Sequence, residues 1–412
     1  MLELIKALWF KRRDIVSDGF DESLEYISKL IPLKIHKIPT GTRCWTWSIP
    51  EKWSVKDAYI HDGKKKLLDI KNHPLHVVSY SLPVDREVTT EELMKHLHTK
   101  PQRPDSIPYE FKYYEKDWGF CIQHNKLKDF TKDKYRVFID SKFEKGTLKV
   151  GDFTIKGKVE DTIVIVAHLC HPAMVNDDLT GVAVLVDIAK KVSSQDNHYS
   201  YKFLILPETI GSVGFLSQNE NLIPQLKFGI FLEMLGNENT LALQLSRQGD
   251  SKIDRVARYT MKKNLNIFRE GPFRSIVRND EMVFNGPGVN IPMISISRFP
   301  YPEYHSSDDN PNIISEARLK EAKKIILNML GIMEKDRIPK RNFKGPIFLS
   351  GYGLAYDWRV NKDLKIKMEQ IMLNLEGDIS IFEIAEKLNF DFDFVFDYII
   401  KFRKKNLVKF IG

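Results

Sequence analysis

The stretch Thr162-Ile-Val-Ile-Val-Ala-His168 limits what this chain can fold into more than any other. An unbroken run of β-branched and apolar residues leaves no face for water, so it suits a strand buried on both sides within a mostly parallel sheet. In such sheets ligands sit in the crevice beyond the carboxyl ends of the strands. His168 closes the run at that end. The chain then crosses Leu169-Cys170-His171-Pro172 and Asn176-Asp177-Asp178 and enters Leu179-Thr-Gly-Val-Ala-Val-Leu-Val, which predicts a buried helix. Strand, histidine, loop aspartate and helix make one unit.

The rhythm of strand and helix continues through Tyr201-Lys-Phe-Leu-Ile-Leu, a helix after Gly211, Phe228-Gly-Ile-Phe-Leu-Glu-Met, a helix from Ser251, Pro292-Met-Ile-Ser-Ile-Ser and a helix from Ser315. That alternation predicts parallel strands joined by crossover helices. Residues 1–35 read as two short amphipathic packing helices, and Leu33 to Ile60 as hairpin strands with Gly41 at a turn. From about Trp53 to Phe130 aromatics, prolines and histidines mix with short β-like runs such as Leu75-His-Val-Val-Ser-Tyr-Ser-Leu, which predicts a small inserted β-rich domain. After the basic linker Lys335–Pro346, the stripe Leu364, Met368, Ile371, Met372 and Leu375, a Ser380/Glu383 capping box and a third helix from Asp391 to Lys404 form a winged-helix pattern. The expected organisation is a main α/β domain from 1–52 and 131–340, an inserted β-rich domain at 53–130 and a winged-helix domain at 346–412.

A length of 412 residues with 42% hydrophobic content allows at least one large core and, at roughly 100–200 residues per domain, two or three domains. The net charge of +8 is scattered rather than massed into a tract, which points to solvated surface instead of an anionic partner. Three cysteines, Cys44, Cys121 and Cys170, cannot all pair and show no zinc-ribbon spacing, which favours a reducing, cytoplasmic setting. Glu3 and Lys6 interrupt the apolar N-terminus and argue against a signal peptide, and no stretch approaches the ~20 apolar residues needed to span a bilayer. From Val360 to Gly412 there are nine Lys or Arg and nine Asp or Glu, and Asp391, Asp393 and Asp397 begin or line the third helix. Those carboxylates would face phosphates with like charge, so a protein-contact or intramolecular role is expected there rather than nucleic-acid binding.

Four further polar positions fall at predicted strand ends or just beyond: Glu208 after Phe203-Leu-Ile-Leu-Pro, Glu233 after Phe228-Gly-Ile-Phe-Leu, His305 in Tyr304-His-Ser-Ser-Asp-Asp, and the pair Asp280-Glu281. Imidazole and carboxylate together suit borderline and hard cations such as zinc, which in catalytic sites keep a position open for water. One such residue is ordinary. Their recurrence at successive strand ends of one α/β domain is what points to a site. Cys170 with His171 can be read as nucleophile and base, but neighbouring side chains on an extended segment face opposite ways, so Cys170 is expected to be a small buried side chain. Residues His73, His76, His96, His98, Tyr113, Tyr114, Trp118 and Phe120 of the insert could line a substrate entrance or simply pack.

These blocks resemble the metal-site blocks of zinc-dependent exopeptidases of the aminopeptidase type. Ala167-His168 and Asp177-Asp178-Leu-Thr-Gly181 resemble the strand-end His and loop Asp of that family, Leu232-Glu233-Met-Leu-Gly236 its Asp-Met-Ile-Gly block, and His305 its late His ligand. The whole chain is similar to bacterial aminopeptidase-like proteins with an inserted β domain and a C-terminal winged helix, associated with polysaccharide biosynthesis. The resemblance implies a mixed sheet flanked by helices, zinc held by His168, Asp177, Glu233 and His305, and Glu208 as general base. The family carries Glu-Glu where this chain has Glu208-Thr209, which removes a carboxylate from a second zinc and implies one site rather than two. The Asp that orients the first His is replaced by Cys170. The implied reaction is cleavage of a peptide or amide bond in a small substrate. An amidase or deacetylase acting on an amino sugar, a catalytically silent scaffold and association into a homo-oligomer stay open.

Overall fold

The structure, a computed structural model, describes residues 1–355 and 362–411; residues 356–361 and 412, which belong to the expected 346–412 domain, lie outside the described residues. Two compact units divide it, residues 1–325 and 326–412.

The first unit is organised by an eight-stranded mixed sheet. From one edge to the other its strands are Lys34–Pro39, Thr147–Ile155, Ser200–Leu206, Thr162–His168, Leu226–Leu232, Met293–Ser297, Ala242–Gln244 and Arg269–Gly271. Ser200–Leu206, Thr162–His168, Leu226–Leu232 and Met293–Ser297 run parallel to one another, while Lys34–Pro39 and Thr147–Ile155 add an antiparallel flank. The reason for the parallel centre is visible in Thr162–His168, every residue of which is buried. Each such Ile or Val contributes about 1.5–3 kcal/mol by leaving water, and only helices on both faces can supply that burial. One of them, Leu179–Ser193, is itself buried along eleven of its fifteen residues.

Strand order puts the site where it is. After Thr162–His168 the chain goes to a neighbour on one side, Ser200–Leu206, and then crosses to the other side as Leu226–Leu232. Loops leaving the carboxyl ends therefore diverge at His168 and open a crevice there.

The expected inserted region forms a four-stranded sheet, but its central strand Lys134–Glu144 comes from beyond residue 130 and pairs with both Lys52–His61 and Val84–Thr89. The run Leu75–Leu82, expected as a strand, is instead a single 3-10 turn at Pro74–His76 followed by irregular chain with isolated bridges. Its polar groups are met by side chains and the neighbouring strand segment, as when Ser81 Oγ donates to Val78 O at 2.7 Å.

The second unit contains helices Lys362–Met372, Ile381–Leu388 and Phe392–Lys404 and a two-stranded ladder of Ile338–Arg341 with Val408–Ile411. The Ser380/Glu383 capping box forms, and Asp391 caps the last helix by accepting the Phe394 N–H at 3.2 Å. No helix among the described residues is long and apolar enough to cross a membrane.

Candidate metal centre

Asp177 lies at the centre of the crevice, 1% exposed, on the loop between the His168 strand and the Leu179–Ser193 helix. His168 Nε2 is 3.2 Å from its Oδ1, His171 Nδ1 is 3.5 Å from the same oxygen, and His305 Nε2 is 3.2 Å from Oδ2. His171 Nε2 is also 3.4 Å from Glu208 Oε2. Glu233 is fully buried at the end of the adjacent strand, and its charge is felt by His168 and Asp177. Of the positions singled out from the sequence, His168, Asp177 and His305 thus meet directly, and Glu208 and Glu233 flank them. Asp280 does not join them: it accepts the Thr209 N–H at 2.9 Å and the Ser212 hydroxyl at 2.5 Å, fixing the turn that carries Glu208. Glu281 does not join them either: it accepts the Asn279 N–H at 2.8 Å and the Gln244 side-chain amide at 3.3 Å.

Local structure explains the convergence. Asp309 collects the backbone N–H groups of Val175, Asn176 and Asp177 at 3.2, 2.6 and 3.1 Å and the Tyr301 hydroxyl at 2.6 Å, so the loop can hold only one shape. Asp178 caps the following helix through the Gly181 N–H at 2.8 Å and also accepts the Met234 N–H at 2.9 Å. A Cβ at Gly181 would come within 2.5 Å of Leu232 O and closer still to the Asp178 carboxylate, so only glycine fits there. Thr180 and Asn176 side chains take the N–H groups of Leu235 and Gly236, locking the Glu233 loop onto the Asp177 loop.

Two neighbours come from segments that sequence reading assigned to packing or to the insert. The Arg13 guanidinium, fully buried, donates to the carbonyls of Leu169, His171 and Met174 at 3.0, 2.5 and 2.8 Å and holds the His171 loop. The insert clamps the His305 loop through Tyr109 N–H to His305 O at 3.0 Å and Arg103 to Asp308 at 2.5 Å, and the Tyr109 ring stands edge-on to both His171 and His305. No periodicity marks such long-range braces. His171 was hidden for a different reason: the strand ends at His168, so the alternation of an extended chain does not apply, and Cys170 and His171 both border one cavity.

That cavity has a volume of about 440 Å³. Glu208, His171, Cys170 and Thr209 form its floor, Trp47, Phe111, Tyr113 and Tyr114 one wall, and Arg274 and Arg278 border it as well. Of the residues proposed for an entrance only Tyr113 and Tyr114 are here; His96 stacks on Trp118 elsewhere.

Electrostatics follow burial. Burial raises the carboxyls of Glu208 and Glu233 and holds the His171 imidazole well below its usual value. Burial would also raise Asp177, yet the surrounding imidazoles of His171, His168 and His305 keep it well below the carboxylate range. The decisive feature is what these groups lack. Both nitrogens of His168, His171 Nδ1, both oxygens of Asp177, Glu233 Oε1 and His305 Nε2 are buried without a hydrogen-bond partner among the described residues. Each unmet buried polar atom costs about 1–3 kcal/mol, so such a concentration is stable only when something else bonds to them. Imidazole and carboxylate donors fit a zinc-type cation.

A mixed sheet with a knot of imidazoles and carboxylates at the carboxyl ends of its central strands defines an aminopeptidase-like α/β protein. The chain belongs to the family described as domain of unknown function DUF4910, matched over residues 2–336. A Clostridium acetobutylicum relative, named as a polysaccharide biosynthesis protein with an aminopeptidase-like domain, is 33% identical over 401 residues, covering 94% of this chain and 91% of the relative. A crystal structure from Clostridium acetobutylicum, named as a peptidase, superposes with a TM-score of 0.92 at 33% identity, covering 99% of this chain and 95% of that one. The fold is also that of the zinc aminopeptidase from Bacillus subtilis, with a TM-score of 0.60 at 14% identity over 80% of this chain and 92% of that one.

Proposed function

We propose that the protein is a zinc-dependent hydrolase of the aminopeptidase type that cleaves a peptide or amide bond in a small substrate, with zinc held by His168, Asp177, His305 and Glu233 and with Glu208 as general base. The observation that carries this reading is the knot of buried, unpartnered ligand atoms around Asp177. Zinc bound there supplies Lewis-acid polarisation of a carbonyl and brings the pKa of a water to about 7. Glu208, reaching into the cavity with its carboxyl raised by burial, takes the proton of the attacking water and returns it to the leaving amine. His171, 3.4 Å from Glu208, orients that carboxylate. The Trp47, Phe111 and Tyr113 wall excludes solvent from the bond being broken. The relative's name supports a setting in polysaccharide biosynthesis, where an amide on an amino sugar is an alternative substrate of the same parts.

We further read the three free, buried cysteines as a sign of a cytoplasmic protein, and residues 346–412 as a winged helix that contacts protein rather than nucleic acid. A panel of aminoacyl anilides, dipeptides and N-acetyl amino sugars, assayed with zinc and after chelation, tests the catalytic reading. Zinc-dependent release from one class is expected. Inactivity of the metal-loaded protein on all of them would favour a silent scaffold.

A further inference from the structure

We infer that Arg274 and Arg278 form a carboxylate-recognition site on the rim of the cavity above Glu208, so that the substrate is an amide carrying an acidic group close to the bond being broken. The inference rests on the hydrolase reading above and narrows its substrate class.

Both arginines lie between Gly271 and Asp280, on chain that is neither helix nor strand and is held by side chains instead. Gln244 Oε1 accepts the N–H groups of Ile276 and Val277 at 2.8 and 2.9 Å, and Val277 is buried in a cluster with Met234 and Tyr301. Further on, the Asn279 side-chain amide donates to Glu233, and Asp280 holds the turn of Glu208. One segment is thus bonded to a proposed metal ligand and to the turn of the proposed base, which fixes its arginines relative to both. Arg274 has a φ of 61°, in the left-handed region that residues other than glycine seldom adopt. Such a conformation persists only where its surroundings impose it, and it clusters at ligand clamps. Arg278 Nε donates to Arg274 O at 3.3 Å, and the two residues border the same cavity.

These arginines have no acidic partner. No carboxylate among the described residues pairs with either of them. Lys112, the other cation of the rim, is by contrast held by Glu115 at 3.2 Å and Asp117 at 2.9 Å. The carboxylates bordering the cavity are Glu208, assigned to the chemistry, and Glu115, spent on Lys112. Two uncompensated guanidiniums at the rim of a cleft attract an anion, and their planar forks match a carboxylate through paired, charge-assisted bonds. Phe111 and Tyr113, stacked with ring centroids 4.5 Å apart, give the same cavity an apolar face for a ring or a short acyl chain. A cavity of about 440 Å³ holds only a small ligand, which places the acidic group within about one residue of the amide.

The test is calorimetric binding to the zinc-loaded, full-length protein of two matched pairs of ligands. One pair is the α-amides of N-acetylglutamate and N-acetylglutamine; the other is the uronic acid of N-acetylglucosamine and N-acetylglucosamine itself. In at least one pair the acidic member should bind about 10–100-fold more tightly, the usual worth of hydrogen bonds to a charged group, and the pair with the larger difference names an amino-acid or a sugar source. Arg274→Gln combined with Arg278→Gln should erase that difference while zinc content and binding of the neutral member stay unchanged. Equal affinities within both pairs, no binding of either acidic member, or a preference that survives the double substitution, which would put the carboxylate on the metal, would overturn the inference. None of these comparisons needs turnover, so each of those results leaves the hydrolase reading standing; an intact preference in a protein that releases product from no substrate would strike the hydrolase reading alone. Should the double variant fail to fold, the single substitutions decide: each should lower the preference, and an unchanged preference in both would reject the site.

Discussion

Asp177 concentrates the physics of the site in one side chain: a fully buried carboxylate kept ionised by imidazoles on both of its oxygens. Its companions differ in what they can give up. Glu208→Gln is nearly isosteric, so it should leave metal content unchanged while turnover falls by about 10²–10⁴, the usual worth of a positioned general base. Zinc lost in parallel with activity would make Glu208 a ligand instead. His168, Glu208 and Glu233 could be found in the sequence because a buried strand has a readable end, and the polar residue at that end stands out against an apolar run. His171 could not, because its position depends on how the chain turns after the strand, and Arg13 fixes that turn from more than a hundred residues away.

At the scale of elements, the site is a set of loops that cannot relax independently. Asp309 ties three N–H groups of the Asp177 loop and the Tyr301 hydroxyl to one carboxylate. Asp309→Ala should leave the sheet folded but lower metal affinity about 10–100-fold, measured by competition with a chelating dye; an unchanged affinity would show that the loop is held by other bonds. Arg13→Met removes the donor for the Leu169, His171 and Met174 carbonyls and should cost about 3 kcal/mol or more in denaturant unfolding, because those carbonyls stay buried. The central strands and the Leu179–Ser193 helix were legible from hydrophobic run and period. The short run at Leu75–Leu82 misled because Leu75 and Val78 are buried in a cluster with Ile107, Tyr109 and Cys121 while the chain makes only isolated bridges, and the pairing of Lys134–Glu144 with Lys52–His61 and Val84–Thr89 was not legible because pairing between distant segments leaves no local signature.

At the scale of the whole molecule, the ligand-bearing residues all lie in the first unit, residues 1–325. Deleting the chain after about Gly345 should therefore leave the metal content of the remainder unchanged, with loss of metal marking a dependence on the second unit. The helices of that second unit were readable from periodicity and caps alone, since Ser380, Glu383 and Asp391 act locally. Its balanced charge predicts no useful affinity for duplex DNA, and tight binding that weakens steeply with salt would contradict this. The claim on which everything else depends is that the buried knot around Asp177 holds metal. Elemental analysis of the purified, dialysed protein beside His168→Ala and His305→Ala decides it: at least one equivalent of zinc per chain in the unmodified protein and a marked loss in both variants is the expected result, and less than a tenth of an equivalent in the unmodified protein, or equal content in all three, would contradict it.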